Sequence, residues 1–188
     1  DRAVRLMNQL LVLARQESAS DTPPERIALH DLVRLGVEEA LPQAQERHID
    51  LGVHVGDALQ VQGHPDALRI LLRNLLDNAL KYTPEQGRVD VAITSENGAP
   101  VLTVEDSGPG IAPADLEKVF DRFYRSAEAT AGGSGLGLAI TQAIAQAHGA
   151  TLRLDVSPTL GGLRVALVFT SPPAAPQTPA TGPGAKHS

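Results

Sequence analysis

Between positions 65 and 82 the apolar residues Leu68, Leu72, Leu75, Leu76 and Ala79 recur at steps of three and four, the period of a helix with one buried face. Pro65 falls in its first turn, where a missing amide costs nothing. A second stripe on the same cylinder reads Leu71, Asn74, Asn78 and Lys81. Downstream, 89–95 and 101–105 are β-rich runs joined at Asn97-Gly98, a hairpin signal. A helix is expected over 136–148, ended by Gly149. A last hairpin, 151–156 with 163–169, turns at Gly161-Gly162. Upstream, 27–29 reads as a short strand, and Asp31 is placed to cap a helix running to about Arg47, with a kink at Pro42. Strands follow at 49–55 and 58–62, and a short helix is expected over 113–120.

The two ends read differently. Residues 2–18 form an apolar helical stripe through Val4, Met7, Leu10, Leu11 and Ala14, and Ser18 to Pro24 then breaks it with small polar residues and two prolines. From Ser171 the chain is too rich in Pro, Ala and Gly to bury anything and is expected to be disordered. The expected domains are therefore 1–19 (one helix of a larger unit), 20–26 (linker), 27–170 (the α/β unit) and 171–188 (tail). Helices interspersed with late-clustered strands predict an α+β fold, a two-layer sandwich with a mixed sheet and helices on one face.

Composition narrows the function. The 188 residues are 42% apolar with three Phe and two Tyr, so the core must be largely aliphatic. A net charge of −6 argues against a general nucleic-acid binder. With no cysteine there is neither a disulfide nor a thiolate metal site, which fits a reducing compartment. No apolar run approaches the ~20 residues that span a bilayer, and no signal peptide is visible.

Four polar constellations carry the chemistry. Asn74 and Asn78 put two amide oxygens in line one turn apart, neutral ligands that suit Mg²⁺, and Lys81 follows one turn on. Asp106 ends an apolar strand before Gly108 and Gly110, so its carboxylate can meet an adenine amino group where the backbone approaches closely. Phe120 and Phe123 can pin a short helix that exposes Arg122 and Arg125, guanidinium groups shaped to clamp phosphate. Gly133, Ser134, Gly135, Leu136 and Gly137 precede a helix whose free amides can hold phosphate. Taken singly, each has a plainer reading: the wet side of a helix, an ordinary turn, a surface arginine, a flexible loop.

In order and spacing the four motifs resemble the catalytic ATP-binding domain of bacterial sensor histidine kinases, a branch of the superfamily that includes gyrase B, Hsp90 and MutL. The resemblance covers roughly residues 1–170 and implies a Bergerat-type fold binding ATP or ADP with Mg²⁺. It makes Asn78 the main Mg²⁺ ligand and Asn74 a phosphate or Mg²⁺ neighbour. Lys81 would contact phosphate, Tyr82 would lie against the nucleotide, Asp106 would read adenine, and Ile111 would line the ring. Residues 126–134 resemble the family's mobile ATP lid, and residues 2–18 the second helix of its dimerisation hairpin. The family transfers the γ-phosphoryl group to a histidine on that hairpin, and the acceptor motif of His, acidic residue, Leu-Arg-Thr-Pro-Leu is not among these residues. Autophosphorylation by this chain alone is therefore not expected. His30-Asp31-Leu32-Val33-Arg34 imitates the acceptor motif but lacks its proline and is read as a solvated histidine; His148 is read as a favourable contact with a helix C-terminus. The segments at 5–11 and 122–125 look like those of kinases similar to QseC and PmrB, which signal to OmpR-type response regulators. The expected location is cytoplasmic, with any inner-membrane anchor upstream. An ATPase, a nucleotide-binding regulatory module and an anti-sigma-type Ser/Thr kinase are the alternatives.

Overall fold

A computed structural model describes residues 23–56, 58–112, 115, 119–120 and 137–170. The expected helix at 2–18, the linker as far as residue 22 and the tail lie outside the described residues.

The sheet follows from alternation. Strands β1 (Glu25–Ala28), β2 (Asp50–Val55), β3 (Gln60–Gly63), β4 (Arg88–Glu96), β5 (Ala99–Asp106), β6 (Thr151–Val156) and β7 (Leu163–Val168) are separated by helices α1 (Leu29–Glu46), α2 (Pro65–Tyr82) and α3 (Gly137–Ala147). Five strands pair in the order β2-β4-β5-β7-β6, with β2–β4 parallel and the other pairs antiparallel, so the sheet is mixed as expected. Val89, Val91 and Ile93 of β4 stand opposite Asp106, Val104 and Leu102 of β5, and Val165 and Leu167 of β7 continue that buried face. The intervening positions carry charge to the other face. There Arg88 pairs with Asp50 (3.2 Å) and Asp90 (3.0 Å), and Arg153 with Glu96 (3.3 Å). One face packs and one is solvated, the usual fate of a largely antiparallel sheet.

The helices close the packed face. Leu68, Leu71, Leu72, Leu75, Leu76 and Leu80 of α2 join Leu29, Val33, Ile140 and Ile144 of its neighbours and the sheet valines in one core. β1 and β3 form a separate antiparallel pair in which Ile27 faces Val61.

Three local expectations are corrected. Asp31 does not cap α1: the helix starts at Leu29 directly after β1, its N-cap is Ala28 without a side-chain bond, and Asp31 falls within the first turn. The physical reason is that Leu29, Leu32 and Val33 are all buried, so the helical pattern begins before the polar residue. β1 starts at Glu25, inside the expected linker, because its register with β3 runs back to Gly63. Leu71 belongs to the buried face of α2, which is wider than the heptad-like stripe suggested. Pro42 lies within α1 without ending it. Of the expected helix at 113–120, the Val119 amide donates to the Asp115 carbonyl (2.9 Å), one helical turn; most of the segment lies outside the described residues.

Candidate functional site

The asparagine helix places its polar row at the seam between α2 and α3. Gly137, the last glycine of the second glycine motif and the first residue of α3, lies so near Asn78 that a Cβ there would stand 3.3 Å from Nδ2 and 3.6 Å from Oδ1. The fold thus joins the asparagine row to the start of α3, two features 59 positions apart in the chain. Asn74, half-buried one turn earlier, has its Nδ2 buried with no hydrogen-bond partner among the described residues. A buried orphan donor is costly unless a ligand completes it. A phosphate oxygen would accept from it, and the amide turned over would present its oxygen to a cation. The residues present therefore fit a metal-phosphate group.

At the C-terminal end of α2, Lys81 Nζ donates to Tyr82 Oη (3.1 Å) and stands 4.5 Å from the ring centroid. Tyr82 is exposed and Lys81 half-buried. The helix end meets the glycine turn: a Cβ on Gly108 would come within 2.8 Å of the Tyr82 carbonyl oxygen. Gly108 must therefore be glycine for the turn to sit against α2.

Asp106 closes β5 and is 5% exposed. Its Oδ1 accepts from the amides of Gly108 (2.8 Å) and Leu163 (3.2 Å), and both described bonds fall on that one oxygen. Burial pushes the carboxyl above the usual range, opposed by those two amides. Gly110, at φ +71, turns the chain back toward Gly162, and Ile111 is half-buried beyond it. From sequence Gly162 reads only as part of a hairpin turn. In the structure its amide donates to the Asp106 carbonyl (3.1 Å), and a Cβ would fall 2.5 Å from Asp106 Oδ1. The dipeptide Gly-Gly was the available signal, but nothing in sequence says which carboxylate lies opposite.

Arg122, Arg125, Gly133, Ser134, Gly135 and Leu136, together with the segment at 126–134, lie outside the described residues. Asp77, on the same helix as the asparagine row, forms an i,i+4 pair with exposed Arg73 (3.9 Å). His30 is exposed in the first turn of α1, 3.5 Å from Asp31, in keeping with a solvated histidine. His148 makes the expected contact with the C-terminal turn of α3, as a neutral ring. Its Nε2 accepts from the His64 amide (3.0 Å) and its Nδ1 donates to the Ile144 carbonyl (2.7 Å), the pattern of a neutral ring.

A cavity of about 420 Å³ opens on the charged sheet face, lined by His54, Arg88, Asp90 and Glu105 among others. It is on the side of the sheet away from α2. Its charges are already matched, Asp90 by Arg88 and Glu105 by Arg164 (3.2 Å), Ser157 and Thr159, so the convergence of motifs at α2 is the better site.

Residues 63–174 match the family described as histidine kinase-, DNA gyrase B-, and HSP90-like ATPase. The sensor protein QseC of Escherichia coli (strain K12) is 41% identical over 151 residues, 79% of this chain and 33% of that protein. The chain thus spans about a third of the length of that curated relative. Among solved structures, the mycobacterial sensor histidine kinase MprB is 33% identical, with a TM-score of 0.68 over 78% of this chain and 96% of the other. Full-length ShkA, solved in complex with AMPPNP, is 27% identical, with a TM-score of 0.73 over 92% of this chain and 37% of the other. Among the described residues no helix is long and apolar enough to cross a membrane.

Proposed function

Because the chain belongs to the family of histidine kinase-, DNA gyrase B- and HSP90-like ATPases, and within it to the sensor histidine kinases, we propose that it binds Mg-ATP and transfers the γ-phosphoryl group to a histidine on a helical hairpin domain. The observation that carries this reading is the Asp106 clamp, with the orphan amide of Asn74 and the Asn78–Gly137 contact on the neighbouring helix.

Each residue has a task in this reading. Two amides hold Asp106 Oδ1, which leaves Oδ2 to accept from the adenine amino group. Asn78 and Asn74 hold the metal and phosphate oxygens, and Lys81 turns from Tyr82 to phosphate. Arg122, Arg125 and the glycine motif 133–137 clamp the phosphate chain at the start of α3. Mg²⁺, when bound, neutralises charge on the phosphate oxygens. The acceptor imidazole nitrogen attacks the γ-phosphorus as its bond to the bridging oxygen breaks, and ADP leaves; the chain contributes positioning and charge. Water-splitting is not favoured: the place one turn before Asn78 is Asn74, not a carboxylate, and Asp77 pairs with Arg73. An OmpR-type response regulator as the next acceptor, a cytoplasmic location and residues 2–18 as part of the hairpin belong to the same proposal.

The test is Asp106→Asn. Because the Gly108 and Leu163 amides demand an oxygen at the Oδ1 place, the new amide nitrogen must occupy the Oδ2 place. It then faces the adenine amino group donor to donor, while a guanine carbonyl would be welcome. Titration should show the unaltered chain preferring ATP to GTP and the variant losing that preference. A variant with undiminished ATP selectivity would sink the reading.

A further inference from the structure

The last four carbonyls of a helix have no partner within it. In α2 two of them, on Leu80 and Lys81, find one 33 and 34 positions back in the chain, at Arg47, the C-cap residue of α1. Its Nη1 donates to the carbonyls of Leu80 and Lys81 (3.1 Å for the latter), and its Nη2 to that of Thr83 (2.9 Å). Thr83 covers the remaining turn, donating from its amide (3.0 Å) and its hydroxyl (2.7 Å) to Ala79. Arg47 also accepts, through its own carbonyl, from the Gln86 amide (3.4 Å), and Asp50 donates to Gly87 (2.9 Å). The segment leaving α2 is therefore held from both sides by the segment leaving α1. A planar fork with several donors suits three carbonyls pointing in different directions, where an ammonium group would not reach them all. The guanidinium charge also offsets the negative end of the α2 dipole.

What this clamp holds is the helix end that carries Lys81 and whose Tyr82 carbonyl meets Gly108. We propose that Arg47 is a positioning residue of the nucleotide site, fixing the last turn of α2 so that Lys81 is presented to the phosphates. The proposal rests on the Mg-ATP reading above. Arg47 touches no ligand in it and acts through Lys81.

Calorimetry with Mg-ATP and NMR titration with adenosine on the unaltered chain, Arg47→Met and Arg47→Lys, each repeated in a Lys81→Ala background, separate positioning from general destabilisation. Arg47→Met should weaken Mg-ATP binding roughly tenfold, as loss of a supporting contact behind a ligand-contacting residue does, and leave adenosine binding within about twofold. Arg47→Lys should fall between, and Arg47→Met should cost little once Lys81 is gone. No loss, equal loss for both ligands, or full additivity with Lys81→Ala would overturn the role of Arg47 while leaving the site intact. If Arg47→Met does not fold, Arg47→Lys alone decides by the same comparison. An unaltered chain that binds no adenine nucleotide would remove both the site and the role.

Discussion

Gly162 lies against Asp106 so closely that no other residue fits: a Cβ would stand 2.3 Å from the Asp106 carbonyl oxygen and 2.5 Å from its Oδ1. The first of these is backbone and cannot swing away. Gly162→Ala must therefore displace either the β7 turn or the carboxylate. Overpacking of this kind costs about 1–3 kcal/mol. Urea unfolding should register that loss, and adenine-nucleotide binding should weaken with it, since the Leu163 amide that holds Oδ1 moves too.

Asp106 also leaves a pH signature. Burial raises its carboxyl above the unfolded value of 3.8. Its contribution to stability is then full below that value and is lost as the pH rises through the raised folded value. An uncharged residue escapes this loss. The melting temperature of Asp106→Asn should therefore rise relative to the parent as the pH goes from acid to neutral. A constant difference across that range would contradict the burial argument. The site would in that case hold its carboxylate at no cost to the fold.

His148 should act with the opposite sign. Burial, more than the nearby His64, lowers its pKa from 6.5. Protonation at Nε2 would remove the acceptor of the His64 amide, a bond joining the start of α2 to the end of α3. Its contribution is thus present above about 6.5 and lost as the pH falls through the lowered value. Thermal melts of the parent and His148→Gln should converge as the pH falls from about 7.5 to about 5. Parallel curves would show that the ring titrates alike in the folded and unfolded chain, and would contradict the lowered pKa.

Much of this was legible in sequence, for reasons that differ by element. α2 is legible from Pro65 to Tyr82 because its leucines keep a helical step and Pro65 suits a first turn. The β4–β5 turn was legible because Asn97 and Gly98 both take positive φ, 51° and 81°, the demand of a two-residue hairpin. Asn78 and Asp106 were picked out by local motif, and the structure places each beside a glycine that needs it close. What sequence could not supply was contact between distant segments. Arg47 under the end of α2, Gly162 against Asp106 and His148 under His64 are pairings over 33 to 84 positions, with no local signature. Leu71 falls outside the single stripe for a related reason: α1, α3 and the sheet all pack on α2, and the buried face widens.

The most direct measurement is calorimetric titration of the chain and of Asn78→Ala with ATP, ADP and GTP, with and without Mg²⁺. The predicted result is adenine-selective binding that Mg²⁺ strengthens in the unaltered chain, and the loss of that strengthening when Asn78 is replaced. Binding that ignores Mg²⁺, or an Asn78→Ala variant that responds to it fully, would contradict the placement of the metal and phosphates on the asparagine row of α2.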